Sequence, residues 1–277
     1  MLDYQLVDDI IWRALKEDMP MGDITTESTV PQDEASFAKL IVKEDCVIAG
    51  LEVFCRVFIL LDPNTYIERY VNDGEKVDAG TVIMRISGNS RAMLKAERTA
   101  LNLLQRMSGI ASATRKFADI LERTRSKIVD TRKTAPGLRY LDKMAVRIGG
   151  GTNHRYCLSD GVLIKDNHIK ASGGITTAVE KARAQIPHTI KIEVETESLE
   201  QVKEALDAGA DIIMLDNMKP EVMKEAVEYI NGRALTEASG NVTADNLADV
   251  AKSGVDLISS GSLTHSVKAA DISLRFE

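Results

Sequence analysis

Residues 130–168 read DTRKTAPGLRYLDKMAVRIGGGTNHRYCLSDGVLIKDNH, and positive charge is concentrated in this stretch, here called the cationic island. It holds seven Lys and Arg side chains against four Asp, a net charge of +3 inside a chain of net charge −7. Two of the four histidines, a Pro-Gly turn and a triple glycine lie in the same stretch. Such an island in an acidic chain predicts a site for a small polyanion and argues against a nucleic-acid surface.

On either side of the island, short apolar runs alternate with helical patterns. The apolar runs are SKIVDT (126–131), GVLIKD (161–166), TIKIEVET (189–196), ADIIMLDN (210–217), RALTEASG (233–240) and VDLISSG (255–261). Helical spacing separates them at 137–148, 175–186, 197–208, 219–231 and 243–253. Near-continuous apolar strands followed by helices are typical of parallel sheets buried on both faces. The pattern predicts either an α/β barrel of six to eight strands or a doubly wound sheet.

The chain before residue 126 has a different pattern. A helix is predicted over 5–18, a turn at GDITTE (22–27), and a buried helix at 51–61. Glycine-punctuated β runs over 65–88 are similar to half of a biotinyl or lipoyl carrier domain, but Lys95 lies in a helical run and not on a hairpin tip. A long helix is predicted over 92–125, with a break at Gly109. The alternating segment 268–277 is expected to return to this first region.

Composition limits the classes that the chain can belong to. With 44% hydrophobic and 28% charged residues, it has the balance of an ordinary globular protein. No apolar run approaches the length that a bilayer requires, and the acidic start lacks the pattern of a signal peptide. The three cysteines are far apart without a CxxC pair, which predicts neither a disulfide framework nor a zinc site. We therefore expect a cytoplasmic protein.

Polar side chains follow each predicted strand where it ends. They are Thr131-Arg132-Lys133, Lys165-Asp166-Asn167-His168, Glu195, Asp216-Asn217, Glu237-Ala238-Ser239-Gly240 and Ser259-Ser260-Gly261. In parallel α/β barrels the active site lies at this edge of the sheet. Six strand ends of this kind in succession indicate an active site and not merely solvated loops.

The order of these residues predicts what the site binds. The first two strands end in cations suited to carboxylates or a diphosphate, arginine offering a bidentate grip. The next two end in carboxylates, which bind a divalent metal or sugar hydroxyls. The last two end in Ser-Gly pairs, whose backbone N–H groups form a phosphate cradle. The sequence therefore predicts a phosphorylated sugar and a second, anionic substrate.

The cationic island also resembles the signature region of the quinolinate phosphoribosyltransferases. The likeness extends along nearly the whole chain, through GDITTE, AGLEVF, ERTALNLLQRMSGIA, KIEVETESLEQ, IIMLDNM, EASGN and ISSGSLTHSVKAAD. This resemblance implies a C-terminal open α/β barrel of about six parallel strands and an N-terminal α/β sandwich domain. The implied domains are a sandwich at 1–109, completed by 266–277, and a catalytic barrel at 110–265.

The same resemblance implies an activity and its components. The expected reaction joins quinolinate to phosphoribosyl pyrophosphate with Mg²⁺, giving nicotinate mononucleotide, pyrophosphate and CO₂ in NAD biosynthesis. The expected assembly is a homodimer, or a hexamer, in which a neighbouring subunit completes each site. No nucleic acid or membrane partner is expected.

Site residues follow from the matching motifs. The expected quinolinate pocket contains Arg132, His154, Arg155 and Lys165, with Arg98 supplied by the neighbouring subunit. The expected phosphoribosyl pyrophosphate contacts are Lys133, Glu195, Asp216, Ser239, Gly240, Asn241, Ser260, Gly261 and Ser262. Lys165, Glu195 and Asp216 are the expected catalytic residues, and Glu195 and Asp216 the expected Mg²⁺ ligands. Where Asn241 stands the family often has a second glycine, a change that a backbone contact would survive.

Three other functions compete with this one. A Schiff-base aldolase would use Lys165 as the amine nucleophile. A phosphoribosyltransferase for another pyridine acid such as nicotinate, or the molybdenum-associated homologue of the same fold, would keep most of the site. A non-catalytic anion-binding protein is the third, although six converging strand ends argue against it.

Overall fold

A computed structural model describes residues 2–277 of the chain. It divides into two compact units. The first, here the sandwich unit, contains the residues up to Arg115 together with Ala135–Gly150 and Val267–Glu277. The second, here the barrel unit, contains Lys116–Thr134 and Gly151–Ser266. Among the described residues, no helix combines the length and apolarity that a bilayer crossing requires.

The sandwich unit is built on an antiparallel four-stranded sheet of order β12-β1-β5-β3, with a separate β2-β4 pair. Its strands are β1 (Ala35–Val42), β2 (Cys46–Val47), β3 (Tyr66–Arg69), β4 (Lys76–Val77), β5 (Val82–Asn89) and β12 (Ile272–Phe276). Its helices are α1 (Tyr4–Asp18), α2 (Ile24–Thr29), α3 (Leu51–Leu61), α5 (Arg139–Ile148) and most of α4 (Ser90–Leu121). Strand β12 pairs with β1 from Ala38↔Phe276 to Val42↔Ile272.

Side-chain caps explain where the first two helices begin. The Asp3 carboxylate accepts hydrogen bonds from the backbone N–H groups of Gln5 and Leu6 and so satisfies the first turn of α1. The prediction of a turn at GDITTE was wrong, because this segment forms α2. Asp23 starts that helix by accepting a hydrogen bond from the Thr26 N–H at 3.0 Å.

The predicted helix break at Gly109 was also wrong, since α4 runs without interruption from Ser90 to Leu121. Gly109 serves a close approach instead. A Cβ atom placed there would lie 2.2 Å from the Lys268 carbonyl oxygen. The glycine therefore makes room for the chain that leads into β12. Lys95 lies in the same helix and forms an ion pair with Glu27 at 2.7 Å, away from any hairpin tip.

The barrel unit contains a six-stranded parallel sheet of order β6-β11-β10-β9-β8-β7. Its strands are β6 (Lys127–Val129), β7 (Val162–Ile164), β8 (Ile192–Thr196), β9 (Ile212–Asp216), β10 (Leu235–Ser239) and β11 (Leu257–Ser259). Its remaining helices are α6 (Asp166–Ser172), α7 (Ile175–Gln185), α8 (Leu199–Asp207), α9 (Pro220–Ile230), α10 (Leu247–Lys252) and α11 (Ser262–His265). All six predicted strands are confirmed, and the sheet is open because β6 and β7 are its two edges.

The division between the two compact units falls after Arg115, inside α4. The predicted domain boundary between residues 109 and 110 lies in the same helix and stays a prediction. Helix α5, predicted as the first helix of the catalytic barrel, is grouped with the sandwich unit although it lies between β6 and β7 in sequence.

Strand register gives the barrel sheet two chemically different faces. Partners across a parallel sheet point to the same side, and side chains alternate along each strand. One face carries an apolar row in which Leu215, Ala238, Ile258 and Ile128 are neighbours. The other face carries the polar side chains, listed here together: Glu193, Glu195, Asp216, Glu237, Ser239 and Ser259. The predicted site residues of the strands therefore share one face.

Candidate active site

A cavity of about 200 Å³ opens in the barrel unit at the carboxyl ends of the strands. Four cations of the cationic island line it, together with one glutamate and two serines of the polar face. The lining residues are Thr131, Arg132, Lys133, His154, Arg155, Leu163, Lys165, Met214, Glu237, Ser239 and Ser259. Its volume is below the roughly 300–1,000 Å³ usual for ligand pockets, which suits one small aromatic acid rather than both expected substrates.

Two arginines lie at this cavity within the same electrostatic environment. Burial, followed by the positive charge of Arg132, lowers the pKa of Arg155 from its usual value. The Arg155 side chain is held by a hydrogen bond that one of its terminal nitrogens donates to the Gly161 carbonyl at 2.9 Å. Two positive charges near one another in a partly buried cavity favour a ligand that carries two negative charges.

Lys165 follows β7 and points toward the next strand. Its Nζ lies 2.5 Å from Oε2 of Glu195, whose side chain is 13% exposed. This ion pair joins a predicted acid-binding cation to a predicted ribose-binding carboxylate. The Lys165 backbone N–H donates to Nδ1 of His168 at 3.0 Å, so His168 caps helix α6.

Glu195 and Asp216 lie on neighbouring strands, β8 and β9, and on the same face. In the register Glu195 is opposite Met214, two residues before Asp216. One oxygen of Asp216 accepts a hydrogen bond from the side chain of Asn217 at 2.7 Å. Mg²⁺ is usually held by one or two carboxylates together with substrate phosphates and water. The two side chains therefore fit the kind of Mg²⁺ site that forms with a bound diphosphate.

The loop after β10 is shaped by its backbone. Gly240 has a φ of +96°, and Asn241 has a φ of +50°, a left-handed conformation that asparagine tolerates better than most residues. A Cβ at Gly240 would lie 2.2 Å from Oδ1 of Asn217. Asn241 donates a hydrogen bond to the same oxygen at 3.2 Å. Asparagine therefore meets the conformational requirement of this position without a second glycine.

The loop after β11 contacts the loop after β10. The Ser260 hydroxyl donates to the Val242 carbonyl at 3.2 Å and lies 2.8 Å from the Ser262 hydroxyl. The Ser260 N–H donates to the Val129 carbonyl at 3.1 Å. These contacts hold the loop, and binding of a phosphate by Ser260, Gly261 and Ser262 stays a prediction.

Lys133 is tied to this second loop. A Cβ at Gly261 would lie 2.8 Å from Cδ of Lys133, so the glycine makes room for the lysine side chain. The Thr264 hydroxyl also donates to the Lys133 carbonyl at 2.9 Å. The structure thus brings the predicted phosphate loops and a predicted phosphate-binding cation together.

His154 lies at the cavity but is bonded within the protein. Its Nδ1 accepts a hydrogen bond from the Arg155 N–H at 2.8 Å, and its Nε2 lies 2.9 Å from Oε2 of Glu193. Asp130, which is fully buried, accepts a hydrogen bond from the His154 N–H at 2.9 Å. Direct binding of the acid by His154 stays a prediction.

Two acidic residues of this site, Glu193 and Glu237, have no individual role assigned from the sequence, although Glu237 lies among the polar residues of the predicted strand ends. Both are buried on the polar face, in β8 and β10, and Glu237 also lines the cavity. Because side chains alternate along a strand, each lies on the same face as a predicted site residue two positions later, Glu193 with Glu195 and Glu237 with Ser239. That alternation is the signal from which they could have been found.

One predicted residue lies outside the barrel unit. Arg98 is exposed on α4 in the sandwich unit. Its expected place in a neighbouring subunit's site stays a prediction.

The chain is similar to known proteins along nearly its whole length. The chain matches the quinolinate phosphoribosyl transferase N-terminal domain over residues 23–108 and the C-terminal domain of that family over residues 110–275. It is 46% identical to a protein of Nicotiana tabacum named quinolinate phosphoribosyltransferase [decarboxylating] 2b, mitochondrial, over 97% of this chain and 82% of that one. It is 45% identical to the probable nicotinate-nucleotide pyrophosphorylase [carboxylating] of Bacillus subtilis, over 93% of this chain and 89% of that one.

A solved structure supports the same assignment. NadC from Streptococcus pyogenes is 42% identical and superposes with a TM-score of 0.95 over 100% of this chain and 99% of that one. With both family domains matched across most of its length, the chain belongs to the quinolinate phosphoribosyltransferase family.

Proposed function

We propose that this chain transfers the phosphoribosyl group of phosphoribosyl pyrophosphate to quinolinate with loss of CO₂, giving nicotinate mononucleotide and pyrophosphate. The observation that carries the proposal is the cavity lined by Arg132, Lys133, Arg155 and Lys165 at the carboxyl ends of the barrel strands. A pyridine ring with two adjacent carboxylates is small enough for this cavity and matches its charge. Family membership supports the same reaction.

Acid recognition is assigned to the cations. Arg155 is held by its bond to Gly161, so its guanidinium presents a prearranged pair of donors to one carboxylate. Arg132 lies close enough to lower the pKa of Arg155, and it is assigned to the second carboxylate. An acid bound in this way has both charges compensated and its ring nitrogen positioned for attack.

Ribose transfer is assigned to the carboxylates of β8 and β9. The pyridine nitrogen attacks the anomeric carbon while pyrophosphate leaves, and positive charge develops on the ribose. Glu195 and Asp216 place negative charge on the polar face where that charge can be stabilised. Lys165 fixes the Glu195 side chain through the 2.5 Å ion pair.

Mg²⁺ is the proposed cofactor, and Glu195 and Asp216 are the residues that would hold it together with substrate phosphate oxygens and water. Bound there, it would neutralise charge on the leaving pyrophosphate. The loops around Gly240 and Gly261 are assigned to the 5′-phosphate, with Lys133 beside the second loop.

The aldolase alternative is disfavoured by one contact. A Schiff base requires a lysine amine that is free to attack a carbonyl carbon, whereas the Lys165 Nζ is engaged in the ion pair with Glu195. A phosphoribosyltransferase for a pyridine monoacid is the closer competitor, because it needs only one of the two arginines.

The direct test is an assay of the purified chain with phosphoribosyl pyrophosphate, Mg²⁺ and either quinolinate or nicotinate. We expect pyrophosphate, CO₂ and nicotinate mononucleotide with quinolinate, and loss of turnover after chelation of Mg²⁺ that returns on its addition. Turnover with nicotinate and none with quinolinate would overturn the proposal.

The assembly is proposed to be a homodimer, or a hexamer that contains three such dimers, in which Arg98 completes the neighbour's site. Mixing the R98A and R155A variants, at a quinolinate concentration too low for either variant alone to turn over, tests this. Random dimers that contain one of each chain would have one intact site, so we expect about a quarter of wild-type activity to return. Absence of any recovery after verified subunit exchange would count against a shared site. The expected cytoplasmic location stays a prediction, because the tobacco relative is named as mitochondrial.

A further inference from the structure

We propose that the buried carboxyl group of Glu237 is the acid that protonates the pyridine ring carbon from which CO₂ departs. This inference rests on the proposed function and assigns a residue to its second step, the decarboxylation.

The chemistry requires a proton at this step. When the bond between the ring carbon and the carboxylate breaks, its electron pair stays on that ring carbon, next to the positively charged ring nitrogen. CO₂ leaves, and the product carries hydrogen at the same carbon. Until a proton arrives, the carbon can recapture CO₂, so a nearby acid makes the step effectively irreversible.

The cations of the cavity are poor sources of this proton. The guanidinium groups of Arg132 and Arg155 do not give up protons in the neutral pH range. The Lys165 Nζ is already held by the Glu195 carboxylate, and Lys133 lies beside the loop after β11. Carboxylic acids are far stronger acids than guanidinium or ammonium groups, so a carboxyl group in the cavity wall is the better proton donor.

Glu237 has the required position. It lies on β10, two residues before Ser239, and lines the cavity although only 1% of its surface is exposed. Its Oε1 atom is buried without a hydrogen-bond partner in the described part of the chain. Glu193, on β8, is 4% exposed and also has an unpartnered buried Oε1. Three atoms lie within 4.8 Å of one another: one carboxylate oxygen of Glu193, one of Glu237 and one ring nitrogen of His154.

The hydrogen bonds decide which of the two carboxyl groups keeps a proton. Two carboxylates buried at this separation cannot readily both ionise. His154 Nε2 lies 2.9 Å from Glu193 but 3.7 Å from Glu237, so Glu237 is the carboxyl group with the more distant histidine. Burial and the neighbouring Glu193 charge raise the pKa of Glu237 to about 7. At neutral pH a substantial fraction of Glu237 therefore carries its proton.

Other groups that face Glu237 modify this balance without reversing it. His154 and a hydrogen bond from Ser259 lower its pKa, and Asp130 raises it. Further along the cavity wall lie the positive charges of Arg132, Arg155, Lys133 and Lys165. Bound quinolinate neutralises these cations and so weakens their stabilisation of an ionised Glu237. Glu237 therefore keeps its proton until the ring carbanion forms.

The same three side chains have a spacing that would also suit a metal ion. The tautomer of His154 argues against that use. Because Nδ1 accepts a hydrogen bond from the Arg155 N–H, the proton of a neutral ring is on Nε2. Nε2 is then a donor to Glu193 and has no lone pair for a metal.

A single-turnover experiment separates the two chemical steps. Wild-type protein and the E237Q variant are mixed with quinolinate, phosphoribosyl pyrophosphate and Mg²⁺, and pyrophosphate, CO₂ and quinolinate mononucleotide are measured over time. In E237Q we expect pyrophosphate to be released within about tenfold of the wild-type rate. CO₂ release should be slowed by a further factor of about 100 or more, so that quinolinate mononucleotide accumulates. E237D, which restores an acid with a shorter reach, should recover part of the CO₂ rate.

Several results would overturn the inference. Equal slowing of pyrophosphate and CO₂, or unchanged rates of both, would show that Glu237 does not serve the second step. If E237Q does not fold, the wild-type protein provides the test. Its rate of CO₂ release, relative to its rate of pyrophosphate release, should fall as pH rises above about 7. A constant ratio of the two rates would refute the inference. Wild-type protein that releases neither product would instead refute the proposed function.

Discussion

The close approach at Gly240 leads to a prediction whose size can be worked from the structure. In G240A, the new Cβ would lie 2.2 Å from Oδ1 and 2.9 Å from the backbone nitrogen of Asn217. Because one of these atoms belongs to the backbone, rotation of the Asn217 side chain cannot relieve the whole clash. The loop must move, and with it the hydrogen bonds from Asn217 N to the Ser239 carbonyl at 2.9 Å and from Asn241 to Asn217 at 3.2 Å.

Gly173 provides a matched control for the backbone strain. Its φ of +95° is nearly that of Gly240, but a Cβ added there would meet no atom within 4 Å. Each alanine pays a similar cost of about 1–2 kcal/mol for its left-handed backbone. The two hydrogen bonds lost only in G240A are worth about 1 kcal/mol each, so G240A should be less stable than G173A by about 2 kcal/mol.

Thermal unfolding and kinetics measure the two consequences. We expect the Tm of G240A to lie about 4 °C or more below that of G173A. The KM for phosphoribosyl pyrophosphate should rise in G240A, because its phosphate loop has moved, while the KM for quinolinate changes little. Equal Tm values for the two variants, with an unchanged KM for phosphoribosyl pyrophosphate, would refute the reasoning.

Three further predictions follow from contacts described above. G109A should lower the Tm, although alanine normally stabilises a helix by about 1 kcal/mol over glycine, because its Cβ would collide with the Lys268 carbonyl; a higher Tm would contradict this. Since the folded state holds the Glu237 proton more tightly than the unfolded state, with a pKa of about 7 against 4.5, wild-type stability should fall as pH rises through this interval. Urea titrations at several pH values should show that the free energy of unfolding falls less for E237Q than for the wild type. Identical pH profiles for the two proteins would show that Glu237 does not cause the fall. R155A should raise the KM for quinolinate about tenfold or more, because a charged bidentate contact is lost, and the KM for phosphoribosyl pyrophosphate far less. Equal increases in the two KM values would show that Arg155 does not bind the acid specifically.

The barrel strands were predictable because strands buried on both faces are short apolar runs between helices. Their polar ends were predictable for the same reason, since Lys165, Glu195 and Asp216 stand out against those runs. Glu193 was not found, because a carboxylate in the interior of the strand IEVET reads as an interruption of that strand. Its role depends on the register with neighbouring strands, which the sequence of one strand does not contain.

Glycines were the hardest residues to interpret from the sequence. Gly109 looked like a helix break because its cost within a helix is local, whereas the contact that requires it lies about 160 positions away at Lys268. The segment GDITTE was read as a turn, although its aspartate starts a helix. Both errors arose where a tertiary contact or a cap outweighed local propensity.

The pairing of β12 with β1 has a consequence for the order in which the protein can fold. Every strand of the barrel unit lies between β1 and β12 in the chain, so the ribosome must synthesise the whole barrel before the four-stranded sheet can gain this edge. Until then β1 exposes the hydrogen-bonding groups that β12 will cover, and exposed edges invite pairing with other chains. We therefore expect nascent chains arrested before Ile272 to depend more on chaperones than released chains do.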